Sequence, residues 1–297
     1  MNQESLEVVL YERMFLIRNF EENVLQLFTK GELFGTTHTY IGQEANAVGL
    51  LSHITRSDVV FSNHRCHGHY LAIFDDPVSL LAELMGKMTG VVAGIGGSQH
   101  LQRENFYTNG VQGGIVPCAA GMALAEKLRQ TGNIAVVFLG DGTLGEGVVY
   151  ETLNLVSLWQ IPLLMVVENN RYAQSTPIHL GVAGGIAARA SAFDVDTAEM
   201  NTTDVLEIHK NAERAVQFVR EEQKPFWFVL NTYRLSSHSK GDDYRDPAEI
   251  AQYARLDPLD ISRQRLPFKL VDEIEKRCRQ RINMAIEEAR AASLAEA

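Results

Sequence analysis

The sequence predicts an α/β fold in which a doubly wound, mostly parallel sheet is flanked by helices. Short apolar runs alternate with amphipathic stretches along most of the chain, which is typical of repeated strand and helix units. Two of these runs, residues 134–139 and 163–167, end in polar loops of the kind that bind ligands at the carboxyl edge of a parallel sheet. We expect residues 1–297 to form one domain, with a helical tail from about residue 248.

The first third of the chain is predicted to contain helices on both sides of one buried strand. Leu6, Val9 and Leu10 begin an apolar stripe at helical spacing, and Pro77 suits the first turn of a later helix. The predicted elements are, in order, a helix over residues 5–29, a helix that opens at Gly42, a strand over 58–61, a polar loop over 62–69 and a helix over 77–86.

The remainder of the chain is predicted to alternate helices, strands and loops. Residues 86–114 form a long glycine-rich segment, and long loops inside compact domains are usually functional. The other predicted elements are, in order, a helix over 117–130, a strand over 134–139, a helix from near Gly145, a strand over 163–167, a mobile surface loop over 173–192, a helix over 203–222, a strand over 226–230, a charged loop over 235–246 and a helical tail over 270–293.

Composition and charge exclude several classes of partner. The formal net charge is −10, which does not favour nucleic acid or an anionic membrane surface. The three cysteines, Cys66, Cys118 and Cys278, are scattered and odd in number, so we expect reduced thiols. No apolar stretch approaches membrane-spanning length, and the first residues have neither a signal-peptide core nor an Arg-rich transit pattern. We therefore expect a cytoplasmic protein.

The most informative segment runs from Gly140 to Asn170. Gly140-Asp141-Gly142-Thr143 follows one apolar run, and Glu168-Asn169-Asn170 follows the next, so that Asp141 and Asn170 are 29 residues apart. An Asp carboxylate and an Asn carbonyl at the same sheet edge are oxygen ligands suited to magnesium that is shared with phosphate. A helix from near Gly145 would point its positive end at the same anion. The alternative for Asp141 is a helix cap.

A cluster of basic side chains follows the strand over residues 58–61. His64, Arg65, His67 and His69 form an HRxHxH pattern, which could suit zinc because imidazoles at short spacing bind that metal. No cysteine lies at ligand spacing, however, and Arg65 inside the cluster opposes a cation. Arg65 fits bidentate recognition of a phosphate better.

The GDG and NN segments, separated by a predicted helix and strand, resemble the thiamin diphosphate motif. Over roughly residues 10 to 265 the chain resembles the alpha subunit of the thiamin-dependent, decarboxylating component of 2-oxo acid dehydrogenase complexes, such as pyruvate dehydrogenase. The resemblance implies a thiamin diphosphate-binding fold, in its diphosphate-binding form, with thiamin diphosphate and Mg²⁺ as cofactors. It also implies that a small 2-oxo acid is decarboxylated and that its acyl fragment passes to an acceptor such as lipoamide.

The resemblance also implies roles for individual residues. The implied magnesium ligands are Asp141, Asn170 and the backbone carbonyl of Tyr172; the implied cofactor contacts are His64, Arg65, His67, Gly110, Gln112, Gly142, Thr143 and His238; and the implied catalytic residues are His38 and His238. The alternative for His38 is a surface histidine before a helix. The alternative for His238 is an exposed loop histidine.

Several residues depart from the family's usual pattern. His64 stands where a tyrosine is usual, Gln112 stands where an apolar residue is usual, and Gln99 replaces a common methionine. Ser236 and Ser237 replace a usual His-Gly pair. These departures keep open a specialised biosynthetic or acetoin-cleaving enzyme with the same chemistry.

The chain offers no convincing carboxylate to activate the cofactor's aminopyrimidine ring. The resemblance implies that this glutamate comes from a separate beta subunit, so we expect an α2β2 heterotetramer, with a lipoyl-bearing acyltransferase as a further partner. Two rival hypotheses are the cofactor-binding half of a split transketolase and a non-catalytic scaffold subunit that kept the fold.

Overall fold

The computed structural model describes residues 3–239, 241 and 243–296. The helices are α1 (Gln3–Thr29), α2 (Glu44–Leu51), α3 (His67–Phe74), α4 (Pro77–Leu84), α5 (Ile115–Arg129), α6 (Gly147–Leu158), α7 (Ile178–Gly181), α8 (Ile186–Ser191), α9 (Val205–Glu222), α10 (Pro247–Ala254), α11 (Pro258–Arg263) and α12 (Phe268–Ala291). The strands are β1 (Val59–Ser62), β2 (Gln102–Arg103), β3 (Phe106–Thr108), β4 (Ala135–Gly140), β5 (Leu163–Asn169), β6 (Tyr172–Ala173), β7 (Thr176–Pro177), β8 (Asp196–Met200) and β9 (Phe226–Asn231).

Within the described residues, seven strands form one sheet in the order β2-β3-β1-β4-β5-β9-β8. Every neighbouring pair is parallel except β2 with β3. Successive residues of β4 enter opposite core layers, since Val136 and Phe138 pack with α1, α2, α9 and α12 while Val137 and Leu139 pack with α5 and α6. Helices therefore cover both faces, and the predicted doubly wound α/β fold is confirmed.

The register of the central strands places two loops at the same level. Gly140, the last residue of β4, pairs with Glu168 in β5, and Glu168 pairs with Leu230 in β9. The chain leaves β4 at Asp141 and leaves β5 after Asn169. Both polar loops consequently begin at the carboxyl edge of the sheet, side by side.

Three segments that were expected to be irregular contain regular elements. The loop predicted over residues 62–69 ends early because α3 begins at His67. The segment 86–114 contains β2 and β3, and the surface loop over 173–192 contains β6, β7, α7 and α8. The prediction of uninterrupted loops was wrong at these places because elements of two to eight residues are too short to show a hydrophobic period.

The C-terminal helices pack against the N-terminal helix. In α12, Ile274, Ile282 and Ile286 join the core that contains α1, and the Tyr11 hydroxyl donates to Glu275 at 2.7 Å. The longest helices, α1 and α12, have 27 and 24 residues. No helix in the described part of the chain has an apolar stretch long enough to cross a membrane.

Candidate active site

A cavity of about 480 Å³ opens at the carboxyl edge of the sheet. The lining residues predicted from the sequence are His38, His64, Arg65, Gly110, Gln112, Asp141, Gly142, Thr143, Asn170, Tyr172 and His238. The structure thus brings eleven of the twelve predicted site residues together; His38 comes from the segment between α1 and α2, and the other ten come from the segments that follow β1, β3, β4, β5 and β9.

Asp141 opens a short 3₁₀ turn, Asp141–Gly145, directly after β4. Its side chain is buried, and its Oδ2 atom has no hydrogen-bond partner among the residues that the structure describes. Burial raises the pKa of Asp141 to about 6, although the Arg234 and Arg65 guanidinium groups and nearby backbone amides act in the opposite direction. A buried carboxylate oxygen without a donor fits a position where a cation would bind.

The second oxygen-bearing loop turns sharply after β5. Arg171 adopts φ 72°, and the Tyr172 amide donates to Asn170 Oδ1 at 3.3 Å. Asn170 Nδ2 donates to Gln43 Oε1 at 3.4 Å, which leaves the carbonyl end of Asn170 on the side of the turn. The turn brings Tyr172 back along the cavity wall beside Asn170.

Gly142 lies where the two loops touch. A Cβ atom at this position would lie 2.5 Å from the Cβ of Ala173, so β6 packs directly onto the glycine. A larger residue would push the Asn170–Tyr172 turn away from Asp141. The helix α6 then begins at Gly147, and the preceding Glu146 accepts the Gly113 amide at 3.1 Å.

Two buried guanidinium groups make this part of the molecule electropositive. Arg65 donates through Nη1 to the Thr39 carbonyl at 2.8 Å and through Nη2 to His238 Nδ1 at 2.9 Å. Arg234 donates to the Gln174 carbonyl at 2.9 Å, but its Nε and Nη1 atoms have no partner among the described residues. Burial, together with nearby arginines, lowers the pKa of Arg65 to about 9 and that of Arg234 to about 10. Buried guanidinium groups that form no direct salt bridge among the described residues suit a bound anion.

Three imidazoles meet inside the cavity. The centroid of the His38 ring lies 4.6 Å from the centroid of the His64 ring and 4.7 Å from that of the His238 ring. One ring nitrogen from each histidine lies within 4.8 Å of the others. Each Nδ1 atom faces a nitrogen donor, from Gln99 at 3.2 Å for His38, from Gln112 at 2.6 Å for His64 and from Arg65 for His238.

These second contacts are unlike those of a metal site, because metal-bound histidines usually donate their other N–H to an acceptor. The zinc hypothesis for the HRxHxH pattern also loses its ligands. His69 lies away from the cavity, with Nδ1 2.7 Å from Ser62 Oγ. The cluster of imidazoles is therefore a set of hydrogen-bonding groups with fixed partners.

His67 is the one predicted site residue that the structure does not bring to the cavity. It is fully buried, with Nδ1 3.0 Å from Glu21 Oε2 and Nε2 3.0 Å from Ser98 Oγ. Because α3 begins at His67, its side chain turns toward α1 and does not follow His64 and Arg65. The prediction that His67 contacts the cofactor was wrong, and the residue instead ties α1 to the glycine-rich segment.

A buried network fixes the start of the Asn-rich loop. Glu168 accepts Asn46 Nδ2 at 3.2 Å and the Tyr40 hydroxyl, while His69 Nε2 lies 3.1 Å from the same hydroxyl. Burial alone would raise the pKa of Glu168, but His69, Tyr40 and Asn46 outweigh it and leave the pKa below its ordinary value. An ionised, anchored Glu168 holds the chain that carries Asn170.

The glycine-rich segment is organised by one carboxylate. Glu83 is buried in α4 and accepts the backbone amides of Val92, Gly94, Gly96 and Gly97 at 2.7 to 3.0 Å. This arrangement presents Gln99 to the cavity a few residues later. The sequence placed Glu83 on a helix, and nothing in its spacing indicated this role.

The charged loop after β9 is held by Arg245. Its guanidinium donates to the Arg234 carbonyl at 2.6 Å and to the Ser236 carbonyl at 2.8 Å, and it pairs with Asp243 at 2.5 Å. These bonds fold the loop so that His238 lies over the cavity. Lys240 and Asp242, which belong to the predicted loop, lie outside the described residues.

Comparison with known proteins decides the family. Residues 12–297 match the model of the dehydrogenase E1 component family. The chain belongs to this family. The E1 chain is 39% identical over 243 residues to the alpha subunit of acetoin:2,6-dichlorophenolindophenol oxidoreductase from Bacillus subtilis, which covers 80% of this chain and 73% of that protein. It is also 38% identical over 281 residues to the pyruvate dehydrogenase E1 component subunit alpha of Zymomonas mobilis, covering 92% and 79% of the two chains.

A pyruvate dehydrogenase E1 component subunit alpha from Rickettsia conorii is 35% identical over 289 residues, 94% of this chain and 88% of that one. These similarities confirm the resemblance that the motifs indicated.

Some cavity residues of this E1 chain were missed as site residues. They are Gln99, Val111, Gly140, Glu146, Ala173 and Gln174. Each of them lies within a few residues of a predicted site residue. Their closeness to those residues along the chain was therefore the only indication in the sequence that they line the cavity. Arg234 carried no such signal, since an Arg near the end of a strand gives no indication of burial.

Proposed function

We propose that this chain is the alpha subunit of a heteromeric enzyme that uses thiamin diphosphate to decarboxylate a 2-oxo acid and to pass the acyl fragment to an acceptor such as lipoamide. One observation supports this proposal most strongly. The Oδ2 atom of Asp141 is buried and has no hydrogen-bond partner among the described residues, and Asp141 lines the same cavity as Asn170 and Arg65. A pair of oxygen ligands next to buried positive charge matches a metal-bound diphosphate. Relatives named as pyruvate dehydrogenase E1 alpha subunits support the same reading.

In the proposed site, different residues bind the cofactor and Mg²⁺. Asp141, Asn170 and the Tyr172 carbonyl would bind Mg²⁺, and the Gly142 and Thr143 amides, with Arg65 and His64, would hold the diphosphate. Gly110 and Gln112 would contact the cofactor through their main chains, since both lie on the same cavity. When bound, the thiazolium ring supplies an acceptor for the electrons that the departing carboxyl group leaves behind.

We infer that His38 and His238 act on the substrate side of the site. Gln99 and Arg65 direct nitrogen donors at the Nδ1 atoms of these rings, which places the ring proton on Nε2. A neutral imidazole of this form can donate a hydrogen bond from Nε2–H. The role of each ring is to donate that hydrogen bond to an oxygen of the substrate or of the acyl fragment as it is transferred.

The proposed assembly contains a second kind of chain. The relatives are named as alpha subunits, which implies a beta subunit partner. Among the described cavity residues the carboxylates are Asp141 and Glu146, and Glu146 already accepts the Gly113 amide. An α2β2 heterotetramer would supply the missing carboxylate, and a lipoyl-bearing acyltransferase would take the acyl fragment.

We further infer that residues 1–297 form one domain and that the protein works in the cytoplasm. One core joins Leu10 in α1 to Ala289 in α12, which supports a single folding unit. Cys66, Cys118 and Cys278 are free thiols, as a reducing compartment would keep them.

Native mass spectrometry of the tagged chain, purified from its source lysate with Mg²⁺ and thiamin diphosphate present, tests the proposal. We expect two copies of this chain, two of a second chain and bound cofactor. A cofactor-free monomer or homodimer would contradict the split site.

An activity assay then distinguishes between the two substrates that the names of the relatives suggest. Turnover of pyruvate is compared with turnover of acetoin, with dichlorophenolindophenol as the electron acceptor.

A further inference from the structure

Two departures from the family's usual residues lie against each other in the cavity. Gln112 Nε2 is 2.6 Å from His64 Nδ1, while Gln112 Oε1 is 3.3 Å from the Gly140 amide and 2.8 Å from Thr143 Oγ. The carboxamide therefore bridges the loop after β1 and the end of β4. An apolar residue at position 112 could make none of these bonds.

The bridge fixes where the proton of His64 lies. The Gly140 amide can only donate, so the carbonyl oxygen of Gln112 must face it and the NH₂ group must face His64. The Nδ1 atom of His64 is consequently an acceptor, and the ring proton lies on Nε2. An imidazolium would direct a second N–H at the NH₂ group, which is unfavourable.

The surroundings of His64 also oppose a charged ring. The titratable and charged groups that face it are Arg65 from its own loop, His38 from the segment before α2, and Arg234 and His238 from the chain after β9. Burial is the largest cause that lowers the pKa of His64 well below its ordinary value, followed by these groups. The Nε2 atom is buried and has no partner among the described residues.

We propose that Gln112 is a positioning residue that holds His64 as a neutral imidazole with its N–H at Nε2, aimed to donate to an anionic oxygen. This inference rests on the proposed function, because the anion would be the diphosphate of the cofactor. The usual tyrosine of the family would donate through a hydroxyl at this place, and His64 with Gln112 provides a donor of equal polarity. The two unusual residues, His64 and Gln112, therefore work together: Gln112 orients His64, and His64 contacts the anion.

The tautomer can be measured directly in the full chain labelled with ¹⁵N-histidine. His64→Tyr identifies the His64 signals by their loss. In the wild type we expect an Nε2–H tautomer whose ring stays neutral at pH values well below the ordinary histidine midpoint. Gln112→Met keeps the side-chain volume but removes all three bonds, so we expect mixed tautomers and a raised pKa of His64. Gln112→Glu should instead accept a hydrogen bond from Nδ1–H and so favour the doubly protonated, positive ring.

Gln174→Met is the matched control, since Gln174 lies on the same wall. It should leave the His64 tautomer as in the wild type. An Nδ1–H tautomer in the wild type, or a Gln112→Met spectrum identical to the wild type, would overturn the inference.

A double-mutant cycle tests the link to the anion, using the chain assembled with its beta subunit and thiamin diphosphate with Mg²⁺ as the probe. Gln112→Met should weaken cofactor binding about tenfold, as loss of one hydrogen bond to a charged group does. Adding His64→Tyr should recover most of that loss, because a phenol needs no tautomer. Losses that simply add would overturn the coupling.

The cycle also separates this inference from the proposed function. If the wild-type assembly binds no thiamin diphosphate, the proposed function and the diphosphate acceptor both fail, whatever the tautomer. If the wild type binds the cofactor and the two substitutions act independently, the positioning role of Gln112 alone fails.

Discussion

Unsatisfied buried atoms mark the site at the scale of single residues. Asp141 Oδ2, His64 Nε2 and two nitrogens of Arg234 are buried without partners among the described residues. Each such atom costs roughly 1–3 kcal/mol of folding free energy. The Asp141 carboxylate and the Arg234 guanidinium are both buried near one cavity without pairing directly with each other. A ligand that combines a cation with an anion explains this arrangement better than packing does.

Replacing Asp141 with alanine should abolish magnesium-dependent binding of the cofactor. The substitution removes a direct metal ligand, so we expect affinity for thiamin diphosphate to fall by more than about 100-fold in the assembled enzyme. Calorimetric titration with and without Mg²⁺ measures it. Asp196→Ala, at an exposed position on the edge strand β8, is the control. Unchanged affinity in Asp141→Ala would disprove the metal assignment.

Replacing His238 with alanine should slow turnover more than it weakens binding. Arg65 loses its bond to Nδ1 but keeps its longer bond of 3.3 Å to the backbone carbonyl of residue 238, so the diphosphate contact should survive. We expect kcat to fall roughly 100-fold, as removal of a hydrogen-bond donor to the transition state does. Steady-state kinetics should show little change in cofactor affinity. If kcat and cofactor affinity fell by the same factor, His238 would have a structural role instead.

Eleven of the twelve residues predicted for the site lie on one cavity, most of them because they follow apolar strands at the same edge of the sheet. Asp141 and Asn170 follow β4 and β5, so their meeting place was determined by parallel pairing. His67 could not be placed, because its role depends on where α3 begins. A residue such as Arg234 could not be found either, since its burial arises from contacts far along the chain.

At the scale of elements, Glu83 organises the glycine-rich segment, and Glu83→Gln should loosen it. A glutamine keeps one acceptor oxygen but turns an NH₂ group toward backbone donors, so at least about 2 kcal/mol of local stability should be lost. Hydrogen exchange should become faster at residues 92–97 and stay unchanged in the strands. Glu287→Gln, on the exposed face of α12, is the matched control. Unaltered exchange at residues 92–97 would contradict this role.

A half-buried ion pair between Arg220 in α9 and Asp58 before β1 should make stability depend on pH. Arg220 donates to both oxygens of Asp58 at 2.8 and 2.9 Å, and the Ile134 amide donates at 3.0 Å. Burial by itself raises the pKa of Asp58, but these bonds and those from Thr55 outweigh it, so the folded-state pKa lies below the ordinary value. The stabilisation is therefore complete above the unfolded pKa, about pH 4, and is lost as pH falls through the folded pKa.

Asp58→Asn should lower the free energy of unfolding by roughly 2–3 kcal/mol at pH 7, because Arg220 loses its charged partner. The difference from the wild type should shrink below about pH 4. Urea unfolding at a series of pH values measures both effects. Asp272→Asn, at an exposed position of α12, should follow the wild type. A difference that does not vary with pH would refute the assignment of the titrating group.

The central strands could be predicted because they are buried on both faces and read as continuous apolar runs. The strand β8, Asp196–Met200, was missed because it lies at the sheet edge and carries polar residues. The strand β3 has three residues and is recruited by pairing with β1, which no local pattern shows. Central elements follow from local composition, whereas edge elements depend on the neighbours that they pair with.

At the scale of the whole molecule, the described part of the chain forms a cavity with buried positive groups and with few carboxylates. Asp141 is proposed as a metal ligand, and Glu146 is engaged by Gly113. The remaining described residues of the cavity wall have no carboxylate. In the proposed assembly, the acid that activates the cofactor would come from the second kind of subunit.

The isolated chain should accordingly have no detectable turnover, and addition of the beta subunit should restore it with saturation at one beta chain per copy of this chain. The decisive control is the Asp141→Ala chain, whose substitution lies at the proposed metal site and leaves the helices that form the outer surfaces unchanged. Mixed with the wild type at limiting beta subunit, it should compete for that subunit and lower activity in proportion to its share. Turnover by the isolated chain with cofactor and Mg²⁺ would show that a complete site exists within one chain. Failure of the Asp141→Ala chain to compete would instead show that the metal site and the subunit contact depend on each other.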